Sequence, residues 1–285
     1  MAGPDPRFFE EIARWLRHAP SGHDPRFERL GARGHRYQLG APLTPEQLAR
    51  LEREHGVRLP DDYASFVTRV GHGGAGPYYG LLPLLARAQL ASLGGGFPAT
   101  EAVSFDEADE MADGDEHVRG TVALAHQGCG YFSLLVVEGP RRGTVWADLR
   151  AAGRGLVPTH GSFVEWYLAW VSAVASGDEL YPPLEPGACG PPKAISELLL
   201  GYERERRLPS GSLTPVQVRE ALGEIGEGGL TVRAGATTRY FDAGDPVDLC
   251  PNCSHMVRHF VAAGAMRWEQ VAPGGPPKAW REGAS

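Results

Sequence analysis

The chain has 285 residues, is 42% hydrophobic, and sets 28 Lys plus Arg against 35 Asp plus Glu for a formal net charge of −7. Such a length supports one large domain, or a main domain with an appendage, around an ordinary buried core. The acidic balance argues against the basic surface that nucleic-acid binding requires, and no run approaches the roughly 18 apolar residues needed to cross a bilayer.

The opening Met1-Ala2-Gly3-Pro4-Asp5-Pro6 has neither a basic nor an apolar leader segment, so a cytoplasmic location is expected, with no membrane and no nucleic-acid partner. Four cysteines, Cys129, Cys189, Cys250 and Cys253, are too few and too unevenly placed for a disulfide framework. The charge is also uneven: residues 1–185 hold 17 Arg, no Lys and 24 acidic side chains, whereas residues 186–285 hold 11 of each sign.

In chain order, Phe8, Phe9, Ile12, Trp15 and Leu16 line one face of a helix from about Pro6 to His18. Thr44, Pro45 and Gln47 form a capping box with proline at the first helical position, and Gly56 stops that helix. Leu59-Pro60-Asp61-Asp62 opens another, with Tyr63, Phe66, Val67 and Val70 at i, i+3, i+4 and i+7. A glycine, proline and tyrosine segment, 71–84, leads out irregularly. Its Gly71, Gly73 and Gly76 match G-x-G-x-x-G, but they follow a helix and run into Pro77, which is the wrong context for a dinucleotide-binding turn.

From Ala86 to Gly120 little period is visible, and a short helix with a long loop is expected. Thr121 to Ala125, Tyr131 to Val137 and Thr144 to Leu149 read as three strands of an antiparallel meander, turning at Gly128-Cys129-Gly130 and Gly139 to Gly143. Ser162 with Glu165 predicts a second capping box, before a helix carrying Phe163, Trp166, Tyr167, Trp170, Val171 and Val174 up to Gly177. Helices then strands then a helix argue an α+β fold, an antiparallel sheet with helices on one face. Prolines and glycines mark residues 181–193 as a linker between a domain at 1–180 and a small α+β module at 194–285. Within that module Ile195, Leu198, Leu199 and Tyr202 suggest a helix, Thr214-Pro215 with Gln217 caps another, and strands are expected near Leu230 to Val232, Thr237 to Phe241 and Met266 to Val271.

Read together, "LTPEQ…LEREHGVRLPDDYASF…GGAGPYYGLLPL" and "GCGYFSLLVVEGPRRGTVWADLR…FVEWYLAWV" resemble the SUKH superfamily. That family takes in bacterial toxin-immunity proteins and the fungal Smi/Knr-type cell-wall assembly regulators. The resemblance covers about the first two thirds of the chain and implies a non-catalytic protein that binds a protein partner. The leading expectation is an immunity protein for a cognate polymorphic toxin, nuclease toxins included; a regulatory scaffold, or a zinc or thiol protein acting through the C-terminal module, are the alternatives.

Candidate site residues follow from the residue types. Tyr78 and Tyr79 offer rigid amphipathic area for a partner, although one of the two rings could instead close the core. Asp106, Glu107, Asp109, Glu110, Asp113, Asp115 and Glu116 form an acidic run with no base among them, suited to steering a basic partner or simply to solvation. The run fails as a calcium loop, because Met111 and Gly120 stand where ligands are needed.

Cys250-Pro251-Asn252-Cys253 has metal-chelating spacing, with Cys189, His255 or His259 as further ligands and zinc as the cofactor. The same motif at a helix start could act as a redox dithiol, or could be packed thiols. Cys129, between two glycines, reads as a packed turn residue. No H-E-x-x-H run or Ser, His and Asp grouping is present. His72 and His160 are the two histidines that could face a site, although single loop histidines are more often solvated or satisfied by backbone.

Overall fold

A computed structural model describes residues 6–17, 31–85, 92–104, 115–184, 189–226, 234–235, 246–262, 264 and 266. Ahead of the sheet come helices α1 (Pro6–Arg17), the short α2 (Ala32–His35), α3 (Pro45–His55) and α4 (Asp61–Arg69). Strands β1 (Thr121–Gly128), β2 (Tyr131–Val136), β3 (Val145–Asp148) and β4 (Leu156–His160) form one antiparallel sheet in sequence order. Helix α5 (Phe163–Ser176) follows, then α6 (Gly190–Glu205), α7 (Pro215–Gly226), the two-residue strands β5 (Ala234–Gly235) and β6 (Pro246–Val247), and α8 (Pro251–Ala262). The fold is α+β, as the order of elements implies.

Local chemistry sets the helix ends. Thr44 Oγ1 accepts the Gln47 N–H at 3.2 Å while Gln47 Oε1 accepts the Thr44 N–H at 2.8 Å, which satisfies two otherwise orphaned donors of α3. Gly56 then ends α3 at φ 64°. The second expected box is only half made: Ser162 Oγ accepts from Glu165 N, but Glu165 Oε2 takes the Gly161 N–H instead of that of Ser162.

Every residue of β1, β2 and β3 is buried, so both faces of the sheet are covered. On one face Val122, Leu124, Leu135 and Val145 meet the apolar stripes of α1, α3, α4 and α5. There Phe66 lies 4.9 Å from Phe163 and 4.7 Å from Tyr167, ring centre to ring centre. On the other face Ala123, Phe132, Leu134 and Trp146 pack against Phe97, Val247 and all four cysteines. This second layer is made of loops and of the C-terminal segment leading into α8, a cover that strand periodicity alone does not reveal.

Strand β4 carries no clear alternation, and its Pro158 pairs with Trp146 at the edge of the sheet, where a missing N–H is tolerated. Helix α6 begins at Gly190, with prolines in its first turn, so residues 190–193 of the expected linker are helical and Cys189 is its buried N-cap. Ile195 of α6 and Leu222 of α7 make a small separate core with Met256 and Phe260 of α8. The strands expected near 230–232 and 237–241, and most of that at 266–271, lie outside the described residues.

One packing detail has a pH consequence. His35 Nδ1 accepts the Tyr37 N–H at 3.0 Å, and its ring stands edge-on to Tyr37 and Trp170. Burial pushes its pKa down to about 4, and that of His126, in β1, down to about 3. Unfolded, both would titrate near 6.5. Because the folded values are depressed, the unfolded chain binds more protons below pH 6.5, and stability present above that pH is lost as pH falls toward 4. Urea midpoints measured at pH 7.5, 6.0 and 4.5 should fall stepwise, with a loss of up to about 2–3 kcal/mol per histidine by pH 4.5. A flat profile over this window would contradict the neutral, buried state of these rings.

Candidate functional site

The glycine segment 71–84 passes beside β1. Leu39 bridges to Gly74, Gly74 to Leu81, and Leu81 to Ala125, so the segment extends the sheet's hydrogen bonding as single contacts. Gly74 has φ 95°, and a Cβ there would stand 2.2 Å from the Gln38 carbonyl oxygen, which leaves room only for glycine. Tyr167 of α5 donates its hydroxyl to the Ala75 carbonyl at 3.0 Å and fixes the segment from the helical side.

Tyr78 and Tyr79 come out of this segment half-buried, with Tyr78 at φ 56°. Each hydroxyl is used within the chain. Tyr78 donates to the Tyr181 carbonyl at 3.3 Å, and Tyr79 donates to the Leu249 carbonyl at 2.6 Å while stacking on His126. Burial raises both phenols, with the Asp248 charge adding to the effect at Tyr79. Tyr78 also borders a cleft of about 310 Å³ shared with Gln127, Ser133, His160, Trp166 and Tyr181. Gln127 is the extra residue of a bulge in β1, and its Nε2 donates to Ser133 Oγ at 2.9 Å.

The four cysteines meet on the opposite face of the sheet. Their sulfur atoms all lie within 4.8 Å of one another, and every one of the side chains is buried. They come from three places: Cys129 from the β1–β2 turn, Cys189 from the N-cap of α6, and Cys250 and Cys253 from the N-cap and first turn of α8. Consecutive positive φ values at Gly128 (88°), Cys129 (52°) and Gly130 (80°) fold the hairpin tip tightly enough to aim the Cys129 thiol at the others. A non-glycine residue in the left-handed region costs roughly 1–2 kcal/mol and is most often held there by a functional or packing demand. The Cys129 N–H donates to the Asp248 carbonyl at 2.6 Å, and the Cys250 N–H donates back to Cys129 Sγ at 3.2 Å.

Cys189 Sγ and Cys250 Sγ are 3.4 Å apart, well beyond the roughly 2.05 Å of a disulfide. Hydrogen bonds from Cys129, Cys250 and Cys253 hold the Cys189 thiol well below the usual range, while contact with Cys189 pushes Cys129 up and contact with Cys129 pushes Cys253 up.

His255 and His259 project from the exposed face of α8, opposite the buried Cys253 and Val257, and neither belongs to the cluster. The fourth sulfur is Cys129, which a reading by local spacing assigned to turn packing. A G-C-G hairpin tip, together with a cysteine total equal to one tetrahedral ligand set, was the signal available for it. Of the acidic candidates, Asp106, Asp109, Glu110 and Asp113 lie outside the described residues, and Asp115 opens the short 3₁₀ turn Asp115–His117. His160 lines the cleft, and burial lowers both it and His72.

An antiparallel sheet backed by helices and edged by a glycine-rich tyrosine segment is consistent with a SUKH-like fold. Residues 42–168 match the SMI1/KNR4 family (SUKH-1), so the segment that holds α3, α4, the glycine segment, the sheet and the start of α5 belongs to that family. No curated protein and no solved structure matches the chain. The family is in general non-enzymatic and binds protein partners, and it fits an immunity-type or a Smi/Knr regulatory role. No helix among the described residues is long and apolar enough to cross a membrane.

Proposed function

We propose that this chain is a non-catalytic, cytoplasmic immunity protein of bacterial type that neutralises a cognate polymorphic toxin by direct binding. The observation that carries the reading is the family match over the sheet and glycine segment. The charge distribution supports it, because all the net acidity lies in residues 1–185 and would attract a toxin whose own surface is basic for holding nucleic acid. A regulatory scaffold of the cell-wall type uses the same domain and is the second role that the family offers.

In this reading Tyr78 and Tyr79, both half-buried, anchor the partner through what remains accessible of their side chains, and Asp106, Asp109, Glu110, Asp113 and Asp115 steer its approach. Tyr78→Ala should weaken binding by about 2 kcal/mol while Tyr78→Phe largely restores it, since ring area rather than the hydroxyl carries a hot spot of this kind. Replacing Asp109, Glu110, Asp113 and Asp115 by Asn or Gln should slow association far more than it speeds dissociation. The effect should shrink as added salt cuts the Debye length to about 10 Å at 0.1 M. Where a toxin domain is encoded beside this chain, co-expression with it tests the role itself. Restored growth supports immunity, and growth arrest despite soluble expression of both proteins refutes it.

A zinc or thiol protein is the remaining reading, and the cysteine cluster is the observation that favours it. Its redox branch is disfavoured because Cys250 and Cys253 are both fully buried, whereas a catalytic dithiol exposes its attacking thiolate. Its metal branch describes a structural zinc ion and is compatible with a protein-binding role.

A further inference from the structure

We infer that Cys129, Cys189, Cys250 and Cys253 form a tetrathiolate zinc site that staples the C-terminal helices to the β1–β2 turn of the SUKH sheet. A tetrahedral ion with zinc–sulfur bonds of about 2.3 Å places its sulfurs about 3.8 Å apart. The cluster's sulfurs lie within 4.8 Å of one another with one pair at 3.4 Å, so small side-chain adjustments suffice. A polynuclear iron–sulfur cluster would hold its cysteines farther apart than one ion does, whereas four sulfurs around a single centre suit zinc.

The surroundings are built for the charge such a site carries. Binding exchanges the thiol protons for Zn²⁺ and releases them to solvent, leaving four thiolates around a dication. The Cys250 N–H already points at Cys129 Sγ at 3.2 Å, the kind of donor that stabilises a ligating thiolate. Cys250 and Cys253 sit at the N-terminus of the 12-residue α8, where the helix dipole favours negative charge. Phe132, Leu149 and Val247, with the ring of Tyr131, belong to the same buried cluster and keep competing water away.

The site also explains why the chain places cysteines at these distances. Cys189 and Cys250 are 61 residues apart, and Cys129 and Cys250 are 121 apart, so one ion closes two long loops at once. Closing long loops is where a cross-link removes most entropy from the unfolded chain. Among the described residues, the helices of the C-terminal module share small cores centred on Ile195 with Leu222 and on Val257 with Met266, and the ion would add a cross-link to them.

Purified full-length chain from zinc-replete medium should carry about one zinc per chain by elemental analysis. The Co²⁺-substituted form should show the intense visible bands and near-ultraviolet sulfur charge transfer of a four-sulfur tetrahedral site. Serine at any of the four cysteines should lower zinc retention against a chelator at least tenfold, while His255→Ala and His259→Ala leave it unchanged. Should the serine variants fail to fold, thiol titration of the native wild type provides the same test. All four thiols should be unreactive until chelation and then react together as zinc is released. A wild type that takes up neither Zn²⁺ nor Co²⁺ would overturn the proposal. So would iron in place of zinc, a Co²⁺ spectrum with nitrogen ligands that the histidine variants abolish, or thiols that react singly. None of these readouts depends on the partner, so the site stands or falls apart from the immunity reading.

Discussion

Replacing Gly128 by alanine should detach the C-terminal segment from the sheet while leaving the SUKH domain folded. Gly128 holds φ 88°, and a Cβ there would lie 2.4 Å from Cys250 N, 2.5 Å from Cys250 Cα and 2.6 Å from Leu249 C. These are backbone atoms, so no rotamer change relieves the clash, and the 248–253 segment must move away. Overpacking of this kind costs about 1–3 kcal/mol, and the left-handed conformation adds roughly 1 kcal/mol more. The Cys129 N–H to Asp248 and Tyr79 hydroxyl to Leu249 bonds would go with it. Hydrogen exchange by mass spectrometry should show peptides from 246–262 exchanging much faster while those from α4 and α5 keep their protection. Unchanged exchange at 246–262 would mean that this segment is not docked on the hairpin tip.

Phe66→Ala should act on the other side of the sheet and on the whole domain. Phe66 is fully buried among Phe9, Phe163 and Tyr167, and it joins α1, α4 and α5 in one aromatic cluster. Emptying a site of this size typically costs 3–5 kcal/mol, about half the stability of an ordinary domain. The urea midpoint should therefore fall sharply with little change in slope. A loss below about 1 kcal/mol would mean that the three helices are not held together through this ring.

These two positions also show what the sequence makes visible. Phe66 could be placed in the core from its spacing with Tyr63, Val67 and Val70, because an amphipathic helix writes its buried face into every third or fourth residue. Thr44 with Gln47, and Gly56, marked the ends of α3 for similarly local reasons. Strand β4 was not legible, since Pro158 and a mostly half-exposed run carry neither alternation nor a buried stretch. Gly128 and Cys129 were visible only as a turn. Their partners lie 121 residues away along the chain, and no local period encodes a contact of that range.

The candidate ligands divide in the same way. Cys250 and Cys253 announce themselves by a three-residue offset, which puts both sulfurs at the start of one helix. His255 and His259 share an offset of four and are further candidates, yet the single residue between Cys253 and His255 leaves little chain to wrap an ion, and both histidines lie on the exposed face of α8. Tyr78 and Tyr79 are legible as an aromatic pair in a glycine segment, but not as half-buried donors to Tyr181 and Leu249, which again are contacts across long loops.

The central proposal, that this chain works by holding a protein partner through its SUKH-like segment, is tested most directly by calorimetric titration. Where a toxin domain is encoded beside this chain, the purified chain would be titrated with the catalytically inactivated form of that domain. The account predicts a one-to-one complex with a Kd of about 1 nM to 1 μM, weakened by Tyr78→Ala and, at low salt, by neutralising the acidic run. Absence of heat and of co-migration on gel filtration, with both proteins folded, would contradict it.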